Sequence, residues 1–248
     1  MPFVSSIRRI ANRRRRHGRR FPTEVTLPRH LRNRLARVIL DALHDPEARR
    51  GLQALADLSS QRCLGDLPSG PLRDCFEERE GGLQLKQEWM ENAAELCGRS
   101  GRAWRAISGR PLDPPDAPLD VALDAAGALF DAGLYYEVHE WLEQYWLEAG
   151  GSDREALQGL IQVAVALEHL ARGNARGARS LVEEGCRKML GRRLRGLDLD
   201  AFARDVSASV DRLAAHGTTA IRALDWALVP RFPRSVNLAA RSDRLGIP

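Results

Sequence analysis

An all-α fold, an antiparallel helical bundle with an N-terminal helical extension, is predicted by three features of the sequence. The first is composition. Ala, Leu, Arg and Glu dominate and favour helices, whereas only 6 residues of 248 are Phe and β-branched residues are scattered. The second is the spacing of apolar residues, which recur three and four positions apart over most of the chain. The third is punctuation. Helix-length stretches are separated by Gly and Pro, most firmly at GRPLDPPDAP, residues 109–118.

The chain is expected to divide into an Arg-rich tail (1–28), a helical extension (29–110), a bundle domain (116–216) and a C-terminal tail (217–248). In the extension, Leu31, Leu35, Val38, Ile39, Ala42 and Leu43 share one helix face. Pro46 interrupts that pattern, and a second short helix carries Leu52, Leu55 and Leu58. Residues 59–82 hold Gly65, Pro68, Gly70, Pro71, Gly81 and Gly82 and predict an irregular linker. A further helix is expected over 83–107, with Trp89, Ala93, Leu96 and Trp104 buried.

Beyond residue 115 helix follows helix. Asp116 can cap a first helix with Pro118 in its first turn, ending at Gly133. The second contains YYEVHEWLEQYW (135–146) and ends at Gly150-Gly151. Ser152 and Glu155 have capping-box spacing ahead of a third helix that ends at Gly173. Asn174 starts a fourth, expected to reach Leu194, and a fifth covers 199–215. The segment LFDAGLYYEVHEWLE also aligns weakly with HLARGNARGARSLVE, matching Gly133 to Gly173, which suits a helix–turn–helix unit used twice.

Charge is concentrated at one end. Residues 1–20 contain eight arginines and no acid, more than the whole net charge of +5, so the remainder is mildly acidic. The arginine run fits a solvated tail. A nucleic-acid partner is expected only through residues 1–20, and the absence of interleaved aromatics argues against a single-strand-binding surface. Cys63, Cys75, Cys97 and Cys186 show neither C-x-x-C nor paired spacing, which predicts reduced thiols and a cytoplasmic location. No apolar run is long enough to span a membrane.

The informative region is the pair of helices at 135–149 and 153–172. At about 100° per residue, His139 and Glu143 fall between Tyr135, Leu142 and Trp146, in the middle of an apolar face. Glu137 and Gln144 fall on the opposite side and are expected in solvent, Glu140 on the border, and Trp141 on the outer face as an interface residue. On the next helix Gln158, Gln162 and His169 likewise line the centre of a face shared with Val165 and Ala166. Each unpaired buried polar group costs about 1–3 kcal/mol, so these side chains must satisfy one another, bind something, or both.

In an antiparallel hairpin with a short loop, His139 lies level with Gln162 and Glu143 with Gln158. That predicts a pocket lined by His139, Glu143, Trp146, Gln158, Gln162 and His169, for an unknown small ligand or a divalent metal. His139–Glu143 are the candidate metal ligands. A polar network that only fixes helix register, in a protein-interaction module able to pair with a partner or a second copy of itself, is the competing reading. His139, Glu140 and Glu143 spell HExxE, whereas the zinc-protease signature places a second histidine where Glu143 stands. Phosphate-loop, dinucleotide-binding and nucleophile-elbow motifs are absent.

The segments LFDAGLYYEVHEWLEQYW, QGLIQVAVALEHLARGN and GARSLVEEG resemble the domain of unknown function 309 family, small all-helical bacterial and archaeal proteins. The resemblance covers about residues 119–190; Val138 stands where the family pattern usually has Ala. It implies a compact antiparallel helical bundle and a metal-dependent hydrolase. His139 and Glu143 would be its ligands and Glu140 its catalytic base.

Overall fold

The computed structural model describes residues 27–58, 70–215 and 228–234. The Arg-rich residues 1–20 and Cys63 lie outside them. Eight α-helices occur among the described residues, accompanied by two small hairpins. They are α1 (Arg29–Asp41), α2 (Pro46–Asp57), α3 (Ala93–Ile107), α4 (Leu119–Asp131), α5 (Tyr135–Glu148), α6 (Gly151–Ala171), α7 (Ala175–Met189) and α8 (Leu199–Ala215). The all-α prediction holds. No helix among the described residues is long and apolar enough to cross a membrane.

The helices of the C-terminal half pack in chain order, α4 on α5, α5 on α6, α6 on α7 and α7 on α8. Helix α6 is central, buried on nearly every side between α5 and α7. Short loops explain the order, because a helix joined by two or three residues must fold back on its predecessor. Both α4 and α6 end in the same way. Gly133 (φ 72) and Gly173 (φ 75) adopt the left-handed conformation. The amides of Leu134 and Asn174 then donate to the carbonyls of Leu129 and His169. The weak repeat thus has a structural basis: each copy is a helix, a glycine stop and the start of the next helix. At the second copy Asn174 caps α7, its Oδ1 accepting from the Gly177 amide at 3.0 Å.

The extension shares one continuous apolar core with these helices. Leu31, Leu35 and Ile39 of α1, Leu52 and Leu55 of α2, and Leu96 and Ile107 of α3 join Leu129, Leu142 and Leu167 in it. Helix α1 packs on α5, and α3 on α4. Arg49 of α2 donates to the carbonyls of Ala42 (2.9 Å) and Arg110 (2.8 Å), tying the end of α1 to the proline-rich connection. Among the C-terminal residues, Phe232 is buried against Phe130 and Phe202, and its amide donates to Asp131 at 2.8 Å.

Several local expectations are corrected. Residues 76–85, divided by sequence between a linker and a helix, form a two-stranded antiparallel hairpin, β1 (Phe76–Arg79) with β2 (Gly82–Leu85). Leu83 and Leu85 of β2 alternate with less buried neighbours, whereas β1 buries only Phe76, a pattern too short to stand out in the sequence. A 3-10 turn over Gln87–Asn92 follows, and α3 begins only at Ala93. Helix α7 stops at Met189, and Leu194 lies in a second hairpin, β3 (Arg193–Leu194) with β4 (Leu197–Asp198), turned by Arg195 and Gly196 at positive φ. Helix α4 is flanked by Pro118 itself as N-cap rather than Asp116. The capping box at Ser152 does not form. Helix α6 starts at Gly151, two residues earlier than expected, so Ser152 already lies inside the first turn.

Candidate functional site

Helix α5 buries an arc shifted away from the expected one around His139. Glu137 is fully buried (0% exposed), and Trp141 is buried with its indole N–H donating to the Ala122 carbonyl at 3.0 Å. Both were expected to face outward. The physical reason is α3, which supplies a cation to the side the isolated hairpin would leave open. Arg99 grips Glu137 with two parallel hydrogen bonds, Nε to Oε1 and a terminal nitrogen to Oε2, each 2.8 Å. The same terminal nitrogen stands 3.8 Å from Glu168 of α6, and Arg172 donates to Glu168 from Nε at 3.0 Å. Burial alone would lower the pKa of Arg99, but the carboxylates of Glu137, Glu168 and Glu95 raise it above the ordinary arginine value. Burial likewise pushes Glu168 up, yet Arg99 and Arg172 hold it below the usual carboxylate range.

The buried arc of α5 is centred on Val138, and it leaves His139 and Glu143 on the flank rather than in the middle. Their side chains are 17% and 20% exposed, and that of Glu140 is 39%. These three form the cluster the site is built on. His139 Nδ1 lies 3.3 Å from Glu140, and Nε2 lies 3.7 Å from Glu143. One nitrogen or oxygen from each of the three fits within a 4.8 Å span, and this is a group that could hold a metal ion. Burial raises the pKa of Glu140, but contacts with His139, Tyr136 and Arg32 outweigh it and keep the carboxyl below its ordinary value.

Tyr136 closes one side of the cluster, its ring 6.1 Å from that of His139. Its hydroxyl donates to Asn33 of α1 at 2.9 Å, and the guanidinium of Arg32 lies 4.0 Å above its ring. Burial, then the negative charge of Glu140, pushes the phenol pKa up to about 12, so Tyr136 stays a neutral donor at physiological pH.

The remaining candidates make other contacts. Gln158 accepts from Lys188 of α7 at 2.9 Å, and Gln162 is buried against Gly185 of α7, its Oε1 without a partner among the described residues. Trp146 is buried beneath the guanidinium of Arg154, 4.0 Å from its ring. His169 contacts Asn174 in the turn before α7, with Nδ1 2.7 Å from the side-chain amide nitrogen. The contacts of the two glutamines and His169 therefore run to α7 and its entry turn. The structure brings together His139, Glu140 and Glu143.

Arg32, Arg99, Glu137 and Glu168 escaped the sequence reading. One signal was available: Arg99 and Ser100 occupy the apolar stripe of α3 between Leu96 and Ala103, which predicts a buried polar position. The partner of Arg99 lies 38 residues away, and no local pattern identifies it.

His169 yields a pH prediction. Burial, and then the like charge of Arg172, lowers its pKa from the ordinary 6.5, against the opposing pull of Glu168. The unfolded chain therefore binds this proton more tightly than the folded one, and the stabilising difference, complete above about pH 6.5, is lost as pH falls through that value. Melting temperatures measured from pH 8 to 5 should decline below this point in the wild-type protein, with a shallower slope in His169→Asn. Parallel slopes would refute the assignment.

Residues 123–181 match the model of a family described as Domain of unknown function (DUF309). No curated protein and no solved structure matches the chain. The matched segment runs from α4 through α5 and α6 to Leu181 in α7, and it contains the entire His139–Glu140–Glu143 cluster. The chain carries a DUF309 domain at residues 123–181.

Proposed function

We propose that the protein binds a divalent metal ion through His139 and Glu143 and that this centre supports hydrolysis. The observation that carries the reading is the convergence of donor atoms from His139, Glu140 and Glu143 within 4.8 Å. Ligands of a zinc ion each lie about 2.0–2.2 Å from it, so two of them stand no more than about 4.4 Å apart. The 3.7 Å between His139 Nε2 and Glu143 meets that limit. One imidazole with carboxylates suits zinc, manganese or ferrous iron better than soft metals. Partial exposure of all three side chains leaves water a route to the site. A divalent ion there would act as a Lewis acid and lower the pKa of a bound water.

The chain's own residues prepare the ligand. Glu140 sits against Nδ1, so the imidazole proton is held there and the Nε2 lone pair faces Glu143. We therefore assign Glu140 to orienting His139, in preference to the catalytic-base role implied by the resemblance. Metal analysis of the purified, reconstituted protein should find about one equivalent per chain, lost in His139→Ala and in Glu143→Gln. Glu140→Gln should weaken metal affinity about 10–100-fold, as expected for a carboxylate that orients a metal-bound histidine. Unchanged metal affinity with lost hydrolysis would instead make Glu140 the base. A wild-type protein that takes up no metal, or a His139→Ala variant that keeps its full content, would overturn the metal centre itself.

A further inference from the structure

We propose that Arg32 binds an oxyanion group of the substrate next to the His139 cluster. The proposal rests on the reading of that cluster as the reactive centre. Arg32 comes from α1, outside the family-matched segment. Its guanidinium carbon lies 4.0 Å over the Tyr136 ring, and Tyr136 is itself fixed by its hydrogen bond to Asn33. The planar guanidinium fork matches a carboxylate or phosphate.

Arg32 forms no ion pair within 4.0 Å among the described residues, and its Nε is buried without a hydrogen-bond acceptor. The acids whose fields reach it are already engaged, Glu140 with His139 and Glu168 with Arg172 and Arg99. Burial, then the like charge of Arg172, lowers its pKa. A cation so placed without a carboxylate of its own is costly unless an anion completes it. The Tyr136 ring separates this guanidinium from His139 by one ring contact, 6.1 Å between centroids. An anion clamped by Arg32 would hold the adjoining part of its molecule against the His139 cluster. Such positioning is how an arginine clamp raises a rate.

The test is calorimetric titration of the full chain at low ionic strength with inorganic phosphate and, separately, acetate, each with and without Mn2+. Phosphate or acetate should bind the wild-type protein. Affinity should fall at least ten-fold in Arg32→Ala, recover in part in Arg32→Lys, and hold in Arg37→Ala, an exposed α1 arginine paired with Asp41. Should Arg32→Ala not fold, a three-fold or larger loss in Arg32→Lys carries the same conclusion. The tighter of the two anions names the class, phosphoryl or carboxylate. Arg32-dependent binding without metal uptake would leave this site standing and remove the metal reading. Metal uptake with anion binding indifferent to Arg32 would overturn the site alone, as would no anion binding by the wild-type protein or an equal loss in Arg37→Ala.

Discussion

Arg99→Ala is expected to destabilise the protein by about 3–5 kcal/mol, the range for breaking a buried pair from one side. Glu137 is 0% exposed and both its oxygens are taken by Arg99. Truncation would leave a carboxylate in the core with no solvent and no counter-charge, and Glu168 would lose one of the two arginines within 4.0 Å of it. The cost is that of the orphaned charge and not the worth of the pair. Arg99→Met combined with Glu137→Leu should therefore be far milder than Arg99→Ala, because apolar side chains of similar volume remove both charges together. Denaturant unfolding of the two variants beside the wild type decides the matter. A loss below about 1 kcal/mol in Arg99→Ala would mean that water reaches Glu137 and that the pair is not buried in solution.

A second large effect is expected at Gly159, where α6 and α7 approach closely. A Cβ added there would stand 2.6 Å from the Met189 side chain and 2.7 Å from the Gly185 carbonyl oxygen. The methionine can turn aside, but the carbonyl belongs to α7 and moves only with the helix. Gly185 mirrors the contact, since a Cβ on it would meet the Gly159 carbonyl at 2.9 Å. Gly159→Ala should cost about 1–3 kcal/mol by overpacking, despite the roughly 0.5–1 kcal/mol that Ala contributes over Gly in a helix. Gly98 on α3 provides the contrast. It is exposed, and its nearest obstacle is the end of the Arg102 side chain at 3.8 Å. Gly98→Ala should stabilise by the propensity difference alone. Equal behaviour of the two variants in thermal unfolding would show that the α6–α7 contact yields without strain.

Both predictions concern side chains that local pattern treated incorrectly or passed over. The helices themselves were legible because apolar spacing and glycine stops are properties of a few consecutive residues. Gly133 and Gly173 end α4 and α6 where the sequence places those stops. The hairpin at 76–85 was not legible, because four-residue strands present too few alternations to stand out between a Gly/Pro-rich linker and a helical period. The candidate cluster was found as a motif and misplaced as a surface. HExxE drew attention to His139, Glu140 and Glu143, which do converge, but the helical wheel put His139 and Glu143 at the centre of the core and Glu137 in water.

What the sequence by itself determined is the all-α class, most helix ends in the second half of the chain, and the identity of the HExxE residues. Each follows from contacts between residues within one or two turns of each other, where propensity and capping act. What only the tertiary structure decided is which face of α5 meets solvent. That depends on Arg99, 38 residues distant, making a Glu137 at the edge of an isolated hairpin affordable in the core. With Arg99 of α3 paired to Glu137 on that side, His139 and Glu143 lie on the flank beside Tyr136 and Arg32, where a metal ion and an anion could reach them. A charge is stable in the interior only opposite its partner, and partners so far apart along the chain are joined only by the fold.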